Sequence, residues 1–68
     1  MDDDVFNMGL RQFLKQVGVT SQRALEEAVR QAEDDGKLAG QKKVRARMVL
    51  TVDSIGLEHV VEDDIKLA

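Results

Sequence analysis

The spacing of the apolar residues changes near residue 43, from a helical repeat before it to an alternating repeat after it. Residues 4–17 carry apolar side chains with a period of about 3.6 residues, which predicts an amphipathic helix. Its apolar face consists of Phe6, Leu10, Phe13, Leu14 and Val17. One of the aspartates at its start, Asp2 to Asp4, is expected to cap the helix, because a carboxylate there accepts from free backbone N–H groups.

Residues 17–20 predict a turn that separates this helix from a second one. Gly18 can take the left-handed conformation that ends a helix, which a residue with a Cβ atom takes only at a cost. Thr20 or Ser21 can then cap a helix over residues 20–35, which Gly36 is expected to end. The apolar face of this second helix consists of Leu25, Ala28, Val29 and Ala32.

The alternating repeat predicts two strands, over residues 43–52 and 57–67, joined by a turn at Asp53-Ser54-Ile55-Gly56. A four-residue loop sets a register in which apolar residues meet on one face and opposite charges meet on the other. The opposing pairs include Val52 with Leu57, Leu50 with His59, Arg47 with Glu62, and Arg45 with Asp64. Asp63 falls opposite Ala46 on the apolar face, so a bulge or a frayed end is expected near Asp63-Asp64.

Together these elements predict an α+β fold of order ααββ, in one domain over residues 1–68. Two antiparallel helices are expected to pack on one face of a two-stranded antiparallel hairpin. A chain of 68 residues without cysteine is a marginal domain on its own, and a lone hairpin is marginal in water. Self-association as a homodimer is therefore expected. Val49 and Val60, opposite each other on the charged face, are candidate contacts, by edge or by face.

Composition and charge indicate the cellular compartment in which the protein is expected. No apolar run approaches the roughly 18 residues of a membrane span, and the acidic start at Asp2-Asp3-Asp4 is unlike a signal peptide. The absence of cysteine is compatible with a reducing compartment. A cytoplasmic protein with no membrane partner is expected. The net charge of −3 gives no general attraction to phosphate.

One basic cluster offers an alternative function. It comprises Lys37, Lys42, Lys43, Arg45 and Arg47. These side chains can contact nucleic acid phosphate or an acidic protein, or the two arginines can simply pair with acidic residues across the hairpin. The turn at Gly18 is similar to that of DNA-binding helix–turn–helix proteins. However, Glu27 stands where that motif has an aliphatic residue, and the second helix is acidic.

Candidate chemistry is sparse, and no enzyme, cofactor or metal is expected. His59, the only histidine, can be read as a general base or metal ligand, or as a partly buried histidine near a sheet edge. The latter is preferred because neighbouring strand residues point to opposite faces and no second histidine or cysteine is present. The acidic runs 2–4 and 62–64 lack the ligand spacing of a calcium loop.

Three segments resemble a family of short, single-domain bacterial proteins of unknown function. They are Asp3-Asp4-Val5-Phe6-Asn7-Met8, then Arg11-x-Phe13-Leu14-Lys15-x-Val17-Gly18-Val19-Thr20-Ser21-Gln22, and Gly36-Lys37-Leu38. The resemblance is strongest over residues 3–22. It implies a bacterial, cytoplasmic setting and carries no activity, cofactor or site residue.

The function expected from these observations is that of a small intracellular interaction or accessory protein that self-associates. The alternative is a nucleic-acid-binding module that uses the basic segment 37–47, with Lys42, Lys43, Arg45 and Arg47 as contacts. A third and remoter class is a small hydrolase or metal protein built on His59.

Overall fold

The computed structural model describes residues 1–68 as an α+β protein. One helix, α1 (Asp3–Asp34), is followed by two strands, β1 (Lys43–Val52) and β2 (Leu57–Lys66), with a 3-10 turn at Asp53–Ile55 between the strands. The chain divides into two units, Met1–Leu38 and Ala39–Ala68. Each unit is described by itself, and the single domain expected from the sequence stays a prediction.

The prediction of two helices is wrong, because α1 runs unbroken for 32 residues through the expected turn. Gly18 is not in the left-handed region, which is occupied only by Gly36, Gly40 and Gly56. The Thr20 hydroxyl does not cap a new helix; it donates to the carbonyl of Gln16, one turn earlier, at 2.8 Å. The expected ααββ order and the antiparallel packing of two helices on the hairpin are therefore overturned, and so is the helix–turn–helix.

A physical reason for the unbroken helix lies in the phase of its apolar face. The apolar residues before Gly18 and those after it lie on the same side of a single helix, since Phe6, Val17 and Ala28 follow at intervals of eleven residues, close to three full turns. A turn would leave up to four backbone carbonyls and four N–H groups without helical partners. Keeping Gly18 inside the helix costs only about 1 kcal/mol relative to alanine.

Both ends of α1 lie within one residue of the ends that the sequence predicts for the helical region. At the start, the carboxylate of Asp2 accepts from the backbone N–H groups of Asp4 at 3.0 Å and Val5 at 3.1 Å, which confirms the aspartate cap. At the end, Gly36 has a φ of 76° and donates to the carbonyl of Glu33. The backbone N–H of Lys37 donates to the carbonyl of Ala32, which completes a Schellman closure.

The hairpin confirms the predicted register over its whole length. Val52 lies opposite Leu57, Leu50 opposite His59, and Val49 opposite Val60. Gly56 has a φ of 67° and closes the turn by donating to the carbonyl of Asp53 at 3.2 Å. Beyond the ladder, the backbone N–H groups of Leu67 and Ala68 both donate to the carbonyl of Lys42.

The prediction of a bulge or a frayed end near Asp63-Asp64 is wrong. The ladder is continuous there, with Asp63 opposite Ala46 and Asp64 opposite Arg45. A bulge was expected because it would keep the Asp63 carboxylate out of a buried apolar face. The side chain is exposed instead, and its Oδ1 atom accepts from the backbone N–H of Asp64 at 2.7 Å. Because no charge is buried, no bulge is needed.

Candidate interaction surfaces

No residue of the chain is buried, so the apolar faces of its elements form surfaces and not a core. Phe6 and Phe13, the two aromatic residues, keep 50% and 49% of their area exposed. Soluble proteins often expose single apolar residues, but a continuous apolar patch marks an interaction site. The structure presents two such continuous surfaces, one on α1 and one on the hairpin.

The first surface, called here the helix stripe, follows one side of α1 from end to end. Its members recur at intervals of three and four residues, so that their side chains share one side of the helix. They are Phe6, Leu10, Phe13, Leu14, Val17, Ser21, Ala24, Leu25, Ala28 and Ala32. The large side chains lie mainly in the N-terminal half, whereas alanine and serine dominate the C-terminal half.

The second surface, the hairpin apolar face, follows from the confirmed register. Alternate residues of paired strands point to the same side of the sheet. On this side lie Val44, Ala46, Met48, Leu50, Val52, Leu57, His59, Val61, Asp63 and Ile65. Met48 and Val61 face each other across the strands and are 45% and 57% exposed. Asp63 is the one acidic interruption.

The opposite side, the hairpin ionic face, is held together by a ladder of ion pairs. Arg45 is at its centre: its guanidinium lies 3.3 Å from the Asp64 carboxylate and 3.2 Å from that of Glu62. Arg47 reaches Glu62 at 3.2 Å, and Lys43 reaches Asp64 at 3.4 Å. The predicted pairing of opposite charges across the hairpin is confirmed, and the ladder adds diagonal pairs to it.

This ladder uses most of the basic residues that the sequence offers for nucleic acid. Lys43, Arg45 and Arg47 each have a carboxylate within 3.4 Å. Lys42 has no acidic partner within 4 Å. Its backbone carbonyl accepts hydrogen bonds from the N–H groups of Leu67 and Ala68. Three of these four side chains therefore lie on β1 and share the two carboxylates of Glu62 and Asp64, whereas Lys42 precedes the strand.

Val49 and Val60, the predicted self-association contacts, lie directly opposite each other on the ionic face. They are 43% and 39% exposed, so they are accessible to a partner. The rest of that face is polar or charged. As an apolar patch the pair is small compared with the helix stripe or the hairpin apolar face.

His59 lies on the hairpin apolar face opposite Leu50 and is exposed, so its expected partial burial is wrong. The reason is that nothing within the hairpin covers that face. No group of three or more histidine, cysteine, aspartate or glutamate side chains in the chain is arranged to hold a metal ion.

The helix stripe was not predicted as a surface, because the apolar faces of two separate helices were expected to be covered by packing on the hairpin. A signal was present in the chain: apart from Val29, the two apolar sets keep the same phase across Gly18, as one helix requires. Within the hairpin, the alternation alone identified both faces. What it could not show is that the apolar one would remain exposed.

Comparison with known proteins supplies a family but no activity. A model of a family of unknown function (DUF6494) matches residues 1–68, the whole chain, and confirms the resemblance noted from the sequence. No curated protein and no solved structure matches the chain. No helix of the chain combines the length and the apolar character that crossing a membrane requires.

Proposed function

We propose that this chain, which belongs to the DUF6494 family of unknown function, is a small protein-binding protein that self-associates through its apolar faces. The observation that carries the proposal is the absence of any buried residue in a chain with two continuous apolar surfaces. The proposed activity is binding, not catalysis. We place it in the cytoplasm, on the same grounds of composition that the sequence offers.

The balance between conformational entropy and apolar burial favours a partner chain that covers the apolar surfaces. Ordering one residue costs roughly 1–2 kcal/mol of backbone entropy, and burial of apolar area is the main term that offsets it. A hairpin of two strands is marginal by itself, and most helical stability in proteins comes from packing of the apolar side. Covering the two surfaces with another protein chain supplies the missing burial. Stability then depends on protein concentration.

The size of the surfaces favours the apolar faces over the valine pair. A stable interface buries roughly 800 Å² on each partner. Val49 and Val60 expose less than half of two medium-sized side chains, and ion pairs follow on one side of them. The helix stripe and the hairpin apolar face each offer about ten positions on one side. We therefore assign the main binding role to the apolar faces.

A nucleic-acid-binding module is the second candidate, and the ionic face argues against it. Phosphate would have to displace the carboxylates that already pair with Arg45 and Arg47. Within the unit Ala39–Ala68, the cations without an acidic partner are Lys42 and Lys66. About two phosphate contacts give weak binding that salt removes.

Sedimentation equilibrium of the full chain, at concentrations up to tens of micromolar, tests the proposal. We expect the apparent mass to exceed that of one chain and the melting temperature to rise with concentration. A chain that stays monomeric and fully folded over this range would contradict self-association. Adding duplex DNA or RNA at low and high salt tests the second candidate, for which a salt-sensitive mobility shift is the required result.

Two adjacent residues provide a matched pair for the hairpin. Val60 lies on the ionic face and Val61 on the apolar face, although both are exposed valines in the same strand. We expect Val61→Lys to weaken self-association and Val60→Lys to leave it nearly unchanged. The reverse result would assign the contact to the ionic face, as the sequence alone suggested.

A further inference from the structure

We infer that two copies of α1 pair antiparallel along the helix stripe, with the two-fold axis near residue 19. This inference rests on the proposed self-association and names the surface and orientation that produce it. The occupant of the stripe is a second copy of the same stripe. Three properties of the stripe support this choice: the positions of its members, their sizes and the charges along the helix.

The positions of the stripe are symmetric about residue 19. Each member before that residue has a counterpart at the same distance after it, so an antiparallel copy places one stripe member opposite another along the whole helix. The five symmetric pairs are Phe6 with Ala32, Leu10 with Ala28, Phe13 with Leu25, Leu14 with Ala24, and Val17 with Ser21. The recurrence of the stripe every eleven residues keeps the contact on one side of helices that coil slightly around each other with a right-handed twist.

The sizes of the side chains favour the antiparallel direction. Three of the five pairs join a large residue to an alanine, and these include both ends of the stripe, so the distance between the helix axes can stay similar at the two ends, at about 8–10 Å. A parallel pair would place Phe6 against Phe6 at one end and Ala32 against Ala32 at the other. The helices would then splay apart or leave voids between the alanines. Such voids lower the stability of an interface, because they remove the close packing of side chains.

The charges along the helix point the same way. Residues 26–35 contain five acidic residues and one arginine, a net charge of −4. A parallel pair sets this segment beside its own copy. An antiparallel pair sets it beside residues 3–12, whose two aspartates and one arginine sum to −1. Antiparallel helix dipoles also attract at their ends, where parallel ones repel.

The register is limited by the aspartates that bound the stripe. In the symmetric register, Asp3 of one copy lies opposite Asp35 of the other beyond the apolar pairs, at the exposed ends of the contact where solvent screens their repulsion. Sliding one copy by two turns, a shift that again brings the two stripes face to face, would bring Asp3 against Ala28 or Asp35 against Leu10. An unpaired carboxylate on an apolar surface is costly. The aspartates therefore favour the register with the longest overlap.

The area available is consistent with a dimer. Phe6 and Phe13 are each about half exposed. Taking about 200 Å² for a whole aromatic side chain, they contribute on the order of 400 Å² from two copies. That is about a third of the roughly 1,200 Å² at the lower end of stable interfaces. The leucines, Val17 and the alanines of the stripe add to it.

A distance measurement between identical positions tests the orientation. The chain has no cysteine, so single Val19→Cys and Met8→Cys variants carry one spin label per copy. Both residues lie on the side of α1 opposite the stripe. In the antiparallel pair, the axial separation between labels is close to zero at residue 19 and about 33 Å at residue 8, from a rise of 1.5 Å per residue. In a parallel pair both positions give the same distance.

A longer distance at residue 8 than at residue 19 is the expected result. Equal distances would overturn the antiparallel pair. Leu10→Asp, on the stripe, is expected to weaken the dimer at least tenfold, whereas Met8→Asp, with the same charge change on the opposite side, is expected to leave it intact. If the wild type associates but Leu10→Asp does so equally well, the helix pairing is wrong and self-association stands. If the wild type is monomeric, both fail.

Discussion

Replacing Gly18 by alanine is expected to stabilise the chain by about 1 kcal/mol. Gly18 lies inside α1 with a helical backbone, and a Cβ atom built on it meets nothing within 4 Å. Alanine is therefore free of steric strain there. It gains because glycine loses more backbone freedom than alanine when it enters a helix.

The sign of this effect separates one helix from two. If Gly18 ended a first helix in the left-handed conformation, alanine would lose about 1–2 kcal/mol, because its Cβ atom would meet the following carbonyl oxygen. The two structures thus differ by about 2–3 kcal/mol in the expected change. For a chain of this length, 1 kcal/mol shifts the melting temperature by about 4–8 °C.

Circular dichroism at 222 nm, followed during thermal unfolding, measures both the helix content and the stability. The protein concentration must be the same for all variants, because self-association makes the melting temperature depend on it. Gly36→Ala is the matched control: its surroundings are equally open, but its φ is 76°, so it is expected to destabilise. A fall in melting temperature for Gly18→Ala, similar to that for Gly36→Ala, would refute the continuous helix.

Three further predictions concern single side chains. Thr20→Ala is expected to raise the stability by a few tenths of a kcal/mol, because alanine is the better helix residue and the hydroxyl is no cap; a loss of about 1 kcal/mol in urea unfolding would indicate a cap. Arg45→Gln is expected to cost about 0.5–2 kcal/mol at low salt, since two exposed ion pairs are lost, and less at 1 M salt. Lys66→Glu is expected to stabilise the hairpin by a few tenths of a kcal/mol, because Lys66 lies directly opposite Lys43 and the substitution replaces two like charges by opposite ones. An unchanged melting temperature at low salt would contradict this prediction.

The hairpin shows what alternation along a chain can predict. The turn ends in a glycine with a left-handed backbone, and the pairs on both faces obey one register. Slipping the register by one residue would mix the apolar and charged faces, so the pattern selects a single pairing. The ion pairs of Arg45 and Arg47 followed from that register alone.

The helix shows the limit of local signals. Gly18 and Thr20 are residues that end and cap helices, and they stand in the right order for a turn. The same residues are tolerated inside a helix at a cost of about 1 kcal/mol or less each. A local preference of this size is outweighed by the backbone hydrogen bonds that an unbroken helix keeps. At Gly36 the prediction that a glycine ends the helix was correct, because Asp34 and Asp35 precede it and the helix stripe does not continue beyond it.

Local patterns in the sequence correctly predict the α+β class, the ends of the helical region to within one residue, the strand register and the opposing charges of the ion-pair ladder. All of these depend on neighbours in the chain or directly across a turn. The structure decided that the helix is continuous and that Phe6, Met48 and Val61 remain exposed. The exposure of a face depends on which residues pack against it, and a pattern of apolar residues does not show this. Periodicity identifies the side that favours burial, but it does not determine whether the same chain or another chain buries it.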